Sequence, residues 1–366
     1  VTKVALIGNF VVPWCTEVHL ARALRENGCE VAEYPQDNAF KIGPTAIVDS
    51  WLGIGTAKGW EDHSTGRPDL VMYVRTHSGT ALGHAWTDGW TRLAHAGVKT
   101  AAFHLDRYFD LSREHLVHEH DPLFTMQHCF TADGGNDDRF ASAGVNHHWL
   151  PPAVDRVEAS WQGDRRTRYE FDVVFAGSPG SRYHGEYPQR GELIAHLRSV
   201  YGARFAHFGK DGDFDVVRGQ ALNDLYATAK VIVGDSCFAN TTVPGTDIPK
   251  WKSDRYWSDR IPETLGRGGF LLHPYVPGVR DSYSGSELAT YNPGDWDDLD
   301  AQIGAFLANP GEREGMVERG RARVLREHTY THRMQTLLAT VGLTPDPCTM
   351  CGSTDPHEHY NTDLPV

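Results

Sequence analysis

Residues 256–291 read YWSDRIPETLGRGGFLLHPYVPGVRDSYSGSELATY. Pro262 stands at the opening of a helix that runs to Arg267 and stops at Gly268-Gly269, since proline suits a first helical turn and glycine the exit. Phe270, Leu271 and Leu272 follow as an apolar strand, Pro277-Gly278 as a turn, and Tyr291 closes a further strand. A helix delivered straight into a buried strand is one unit of a parallel sheet covered on both faces.

Working upstream, 230–234 (KVIVG) is a strand, 222–229 a helix and 203–208 a strand. Residues 189–201 form a helix with Leu193, Ile194 and Leu197 on one face. Residues 171–176 (FDVVFA) form a strand closed by Gly177-Ser178-Pro179-Gly180. Downstream, 299–308 and 312–328 are helices. The opening of the chain repeats this architecture without repeating the residues. Val4 to Ile7 is an apolar run ending at Gly8. After the loop 9–15, Thr16 is the expected N-cap of a helix carrying Val18, Leu20, Ala21 and Leu24 at helical spacing. Strands 29–34, 69–73 and 99–104 and the helical stretch 86–96 complete this half. The two halves meet after Leu150-Pro151-Pro152, and the polar stretch 158–168 reads as a linker.

The 366 residues suit two domains. The net charge of −13 argues against a general binder of nucleic acid or anionic membrane. No apolar run is long enough for a transmembrane helix. The start VTKVALIGNF lacks the charged and apolar regions of a secretory signal. Six scattered cysteines suit a reducing compartment, so a cytoplasmic location is expected. A dinucleotide enzyme is disfavoured, because no G-x-G-x-x-G follows a strand.

Within 256–291, the order Arg260, Glu263, Gly268-Gly269, Pro277-Gly278 and Tyr291 resembles the C-terminal half of two-domain glycosyltransferases of the GT-B fold. The resemblance is closest to the CgeB-like (spore maturation protein) branch of the group 1 enzymes, which includes phage-encoded members. FAGSPGSRYHGEYPQR at 175–190, LPPAVD at 150–155, AFHLDRYFD at 102–110 and the closing helix over 312–338 follow the same order, so the likeness spans roughly residues 1–340.

The resemblance implies an α/β fold of two Rossmann-like doubly wound domains facing across a cleft. Residues 1–152 would form the acceptor side and 153–325 the nucleotide-sugar domain. A closing helix, 326–344, would return to the first domain, and 345–366 would be a polar tail. The implied reaction is sugar transfer, of the hexosyltransferase kind, from a nucleotide-diphosphate sugar to an acceptor hydroxyl, with retention. The acceptor stays open among a polysaccharide, a small molecule and a hydroxylated base in DNA. Two alternatives stay open as well: a non-catalytic nucleotide-sugar-binding protein and a nucleotide-sugar epimerase.

GT-B enzymes stabilise the departing diphosphate with backbone N–H groups and with Arg or Lys rather than a bound metal. No cofactor is therefore expected, and no convincing Asp-x-Asp triplet occurs: Asp211, Asp213 and Asp215 lie in a polar loop. Gly177 and Ser178 allow close backbone approach to a ligand. Arg182, Arg190, Lys210 and Arg260 are the nearby cations, Arg260 reaching either a phosphate or Glu263. Glu263 is the implied ribose ligand, two acceptor oxygens suiting a vicinal diol. Group 1 enzymes often carry a second Glu seven residues earlier, where Tyr256 stands here. Gly8, Asp235, Gly268 and Gly269 complete the donor set. On the acceptor side, His104 and Asp106 lie just past a strand end, Asp106 as base or hydroxyl-orienting group and His104 toward the donor sugar. In the tail, Cys348, Cys351, His357 and His359 are candidate ligands for a structural zinc, with a metal-free tail as the alternative.

Overall fold

The computed structural model describes residues 1–55, 66–75, 85–161, 163–164, 171–179, 186–237, 242, 245–247 and 255–343. The chain divides into two units. Unit 1 combines Val1–Pro151 with the segment that starts at Tyr330, and unit 2 is Pro152–Thr329.

Unit 1 opens with β1 (Lys3–Gly8), α1 (Thr16–Glu26), β2 (Glu30–Pro35), α2 (Gln36–Ile42) and α3 (Pro44–Trp51). It continues with β3 (Leu70–Val74), α4 (Ala85–His95), β4 (Lys99–His104), α5 (His115–His118), β5 (His128–Thr131), α6 (Asp137–Ser142) and β6 (His147–Trp149). The strands form one parallel sheet in the order β2-β1-β3-β4-β5-β6. β1 and β3 are buried on both faces, which is why they read as unbroken apolar runs. α1 starts one residue before the expected first turn: Cys15 takes the cap position and Thr16 is already helical. The reason lies one residue on. Glu17 is fully buried and its carboxylate accepts a hydrogen bond from the Asn9 N–H at 3.1 Å, so the side chain that ties the loop to the helix is glutamate, not threonine. Gly8 leaves room for it, since a Cβ there would stand 2.4 Å from Glu17 Cγ.

Unit 2 comprises α7 (Arg156–Ser160), β7 (Val173–Ala176), α8 (Arg190–Tyr201), β8 (Phe205–Phe208), α9 (Gln220–Thr228) and β9 (Val231–Val233). It ends with α10 (Arg260–Gly266), β10 (Leu271–Pro274), α11 (Pro277–Arg280), β11 (Ala289–Tyr291), α12 (Trp296–Ala308) and α13 (Pro310–Glu327). Its parallel sheet has the order β11-β10-β9-β7-β8. Alternate residues of these strands feed two cores. Val174, Ile232 and Leu271 pack with Leu225, Ile261 and Leu265 on one face. Val173, Val231 and Leu272 pack with Leu193, Leu197 and Ile303 on the other.

The stretch expected as a linker from residue 158 begins instead as structure. Asp155 caps α7 by accepting the Glu158 N–H at 2.8 Å, and Glu158 is buried in an ion pair with Arg267. Arg267 is buried at the end of α10 and needs carboxylates around it, which draws Glu158 into the fold.

The last helix of the described chain, α14 (Tyr330–Thr340), belongs to unit 1 and packs on α1. Asn27 Nδ2 donates to Thr331 O at 3.0 Å, Thr331 Oγ1 donates to Glu26, and Arg333 Nε donates to Pro151 O at 2.7 Å. Among the described residues, no helix is long and apolar enough to cross a membrane.

Candidate functional site

In unit 2, β8 lies on one side of β7 and β9 on the other, so the strand order reverses between β7 and β9. A parallel sheet binds ligands at such a point, beyond the carboxyl ends of its strands. β7 ends in Ala176 and leads into Gly177-Ser178; β9 ends in Val233 and leads into Gly234-Asp235.

Asp235 organises the site. Its side chain is 8% exposed, and two arginines hold it: Arg190 from the start of α8 and Arg260 from the start of α10. Arg190 is bidentate, Nε to Oδ2 and Nη2 to Oδ1, the second at 3.2 Å. Arg260 Nη1 reaches Oδ1 at 3.0 Å. Burial alone would push the Asp235 carboxyl up; Arg190 and then Arg260 overturn this and hold it below the usual carboxylate range. Two cations on one carboxylate leave the cluster with a net positive charge.

The two arginines are held differently. Arg190 is buried, stacks over the Tyr187 ring at 3.9 Å and donates Nη1 to Ser178 O at 3.2 Å. The Tyr187 hydroxyl in turn meets the Tyr256 hydroxyl at 3.2 Å. Tyr256, which stands where group 1 enzymes often carry a second glutamate, is thus linked to the arginine through Tyr187. Arg260 is more open, its side chain 16% exposed. Its Nε donates to Ala176 O at 3.0 Å, and its Nη2 lies so close over Gly177 that a Cβ there would come within 2.1 Å. A side chain there would displace the guanidinium, and the Gly177 φ of +156° itself disfavours one.

Two buried histidines, neither picked out from sequence, flank the cluster. His207 on β8 donates Nε2–H to Gly177 O at 2.7 Å. His273 on β10 donates Nδ1–H to Pro274 O at 2.7 Å, and burial pushes it down to about 4. The sign of the consequence is fixed. His273 stays neutral in the fold while an unfolded histidine titrates near 6.5, so its contribution is full above about 6.5 and lost as pH falls toward 4. Thermal melts should show a smaller drop in Tm between pH 7.5 and 5 for His273→Gln than for the natural chain; equal drops would exclude His273 as the source.

The other expected donor residues are dispersed. Glu263 points one turn along α10, its carboxylate accepting Arg267 Nε at 2.7 Å; Arg267 also binds Asn223 and Glu158. Arg260 therefore pairs with Asp235 and not with Glu263. Gly268 and Gly269 follow the end of α10 and precede β10, at the opposite end of the sheet from Gly177 and Asp235, so the structure does not bring them to the donor cluster. Gly268 has φ +82°, the left-handed exit of a helix, and a Cβ on Gly269 would strike Ile232 at 2.8 Å and Thr264 at 2.9 Å. Lys210 is exposed on the turn after β8. Arg182 lies outside the described residues, as do Cys348, Cys351, His357 and His359. Among the described residues, no three His, Cys, Asp or Glu side chains group as metal ligands.

In unit 1, the order reverses between β1 and β3. Gly8 ends β1 and His104 ends β4. His104 and Asp106 do meet: the Asp106 N–H donates to His104 Nδ1 at 3.4 Å, and His104 Nε2 stands 3.6 Å from Asp106 Oδ2. Nδ1 is thus the acceptor and Nε2 carries the proton. Burial, then Arg113 and Arg75, hold His104 well below its ordinary range, so it is a neutral donor. Arg113 Nη1 approaches the same Asp106 oxygen at 3.4 Å. The loop between them is fixed by buried Asp133, which accepts the N–H groups of Tyr108 at 2.9 Å and Phe109 at 3.1 Å.

Comparison with known proteins agrees with this fold. Residues 168–339 match the family described as glycosyl transferase-like. A comparison with curated protein sequences gives no match. Among solved structures, the chain is similar to sucrose-phosphate synthase from Thermosynechococcus elongatus, with 13% identity, a TM-score of 0.59, and 93% of this chain and 99% of that chain covered. It is also similar to Anabaena HepE in complex with UDP and glucose, with 11% identity, a TM-score of 0.60 and the same coverage. A glycosyltransferase from Rickettsia africae gives 10% identity and a TM-score of 0.54 over 93% of this chain and 97% of that one. The fold is GT-B: two α/β units, each on a parallel sheet, of six and five strands among the described residues.

Proposed function

We propose that the chain is a glycosyltransferase that takes its sugar from a nucleotide-diphosphate donor and holds the donor diphosphate in unit 2. The observation that carries this reading is the net-positive Arg190–Asp235–Arg260 cluster, set at the strand-order reversal beside a glycine turn. A departing nucleoside diphosphate gains negative charge as the glycosidic bond breaks, and fixed guanidinium donors aimed at it lower the barrier. Arg260, anchored at Nε and Nη1, presents Nη2 for that purpose. The match of 168–339 to a glycosyl transferase-like family and the UDP and glucose bound by HepE support the reading.

On the acceptor side, Asp106 orients the incoming hydroxyl, while His104, a neutral donor, binds a sugar oxygen. Transfer proceeds with retention, the outcome the group 1 resemblance implies, and the anomeric configuration of the product by NMR checks it. Incubation with a panel of nucleotide sugars should release one nucleoside diphosphate. Failure of every nucleoside diphosphate to bind in calorimetry would overturn the reading.

Glu263 enters as the ribose ligand, with one carboxylate oxygen shared with Arg267. Glu263→Ala should weaken binding of the nucleoside diphosphate by about 1.5–3 kcal/mol, the range for hydrogen bonds to a charged group. Unchanged affinity with a lowered Tm would assign Glu263 to the Arg267 network alone.

A further inference from the structure

We propose that His207, which touches no substrate, is a positioning residue that aims the Ser178 N–H at the donor diphosphate. The inference rests on the function proposed above and concerns that same site.

Three observations converge on the peptide joining Gly177 to Ser178. First, His207 Nε2–H donates to its carbonyl oxygen at 2.7 Å. Second, Gly209 lies flat against it: a Cβ at Gly209 would stand 2.3 Å from Gly177 O and 2.7 Å from Gly177 C. Third, the next peptide is pinned as well, since Arg190 Nη1 donates to Ser178 O at 3.2 Å. Both peptide planes flanking Ser178 are therefore fixed.

In a trans peptide the C=O and N–H point in opposite directions, and no cis bond occurs among the described residues. The Gly177 carbonyl points toward β8, where His207 sits. The Ser178 N–H then points away from His207, and Arg190, which holds the Ser178 carbonyl and Asp235 together, ties this turn to the charged cluster. Among the described residues this N–H has no hydrogen-bond partner. Arg260 Nη2 stands over the adjacent Gly177 Cα. One backbone donor and one guanidinium edge thus converge on a single spot, the arrangement that binds a phosphate oxygen.

His207 itself is buried, and its own N–H is held by Asp213 Oδ2 at 3.1 Å. It acts through the carbonyl alone. Without its donor, the Gly177–Ser178 peptide loses the hydrogen bond that holds its carbonyl, and the Ser178 N–H loses its aim.

The test compares His207→Leu, which removes the donor, with His207→Gln, whose amide nitrogen takes the place of Nε2. UDP and uridine serve as probes, or ADP and adenosine or GDP and guanosine if the natural chain binds that diphosphate. His207→Leu should bind the diphosphate at least tenfold more weakly and the nucleoside within twofold of the natural chain, with kcat/KM reduced in proportion. His207→Gln should stay within threefold on both. Equal binding of the diphosphate by folded His207→Leu overturns the inference, as does parallel loss of nucleoside and diphosphate. If His207→Leu does not fold, His207→Asn, whose amide falls short of the carbonyl, must show the same selective loss. A natural chain that binds no nucleoside diphosphate would instead overturn the proposed function.

Discussion

Asp235→Ala should destabilise unit 2 by about 3–5 kcal/mol, the cost of stripping the partner from a buried charge. Arg190 would remain buried against the Ser178 carbonyl and the Tyr187 and Phe175 rings, with no carboxylate among these contacts. The measurement is chemical denaturation of the full chain, followed by a probe that reports on unit 2. An unchanged midpoint would mean that the cluster relaxes into solvent and that Asp235 does not organise it. The pH dependence follows from the direction of its shift. Because the folded carboxyl is held below the usual range, its stabilising effect is full above about 4, where the unfolded carboxyl is ionised, and vanishes as pH falls through the folded value.

Arg260→Ala should leave the fold intact and lower kcat/KM by about 10²–10³, the typical loss on removing one donor from a developing anion. Arg260→Lys should recover little, since an ammonium cannot hold Ala176 O and Asp235 together and still present a second edge over Gly177. A rise confined to KM would place Arg260 in binding shared by the ground and transition states; no change in either constant would remove it from the site. Chelators should not change the rate, because the positive charge comes from side chains. Loss of activity in EDTA and its return with magnesium would overturn that expectation.

The architecture was legible because each central strand is buried on two faces and writes itself as an apolar run. Val4–Ile7, KVIVG and FDVVFA needed no alternation to be recognised. Gly177, Ser178 and Arg260 stood out in the sequence because glycine at a strand exit and a cation one helix turn before a motif glutamate both carry chemical meaning, and the fold brings the three together. His207 and His273 were not: each sits inside a strand, where a histidine reads as a filler, and only the backbone register places its ring against Gly177 or Pro274. Arg190 was readable from sequence as a cation near the Gly177-Ser178 loop, but not as a buried one. Its burial depends on Tyr187 and on Asp235, 45 residues away. Glu158 failed for the same reason, because its partner Arg267 is 109 residues distant. Gly268 and Gly269 misled in the other direction: their glycine requirement is a matter of helix exit and packing, and sequence cannot tell that from contact with a ligand.

The return of α14 to unit 1 has a consequence for the order of events on the ribosome. Unit 2 is contiguous in the chain, so all its strands and helices are available once Thr329 has emerged. Unit 1 is not: the partner for one face of α1, including Met334, Leu337 and Leu338, arrives only with the last helix. The half of the protein synthesised first is therefore the half completed last. Its α1 waits for α14 while the whole of unit 2 is synthesised, and this is the surface that a nascent-chain chaperone would find.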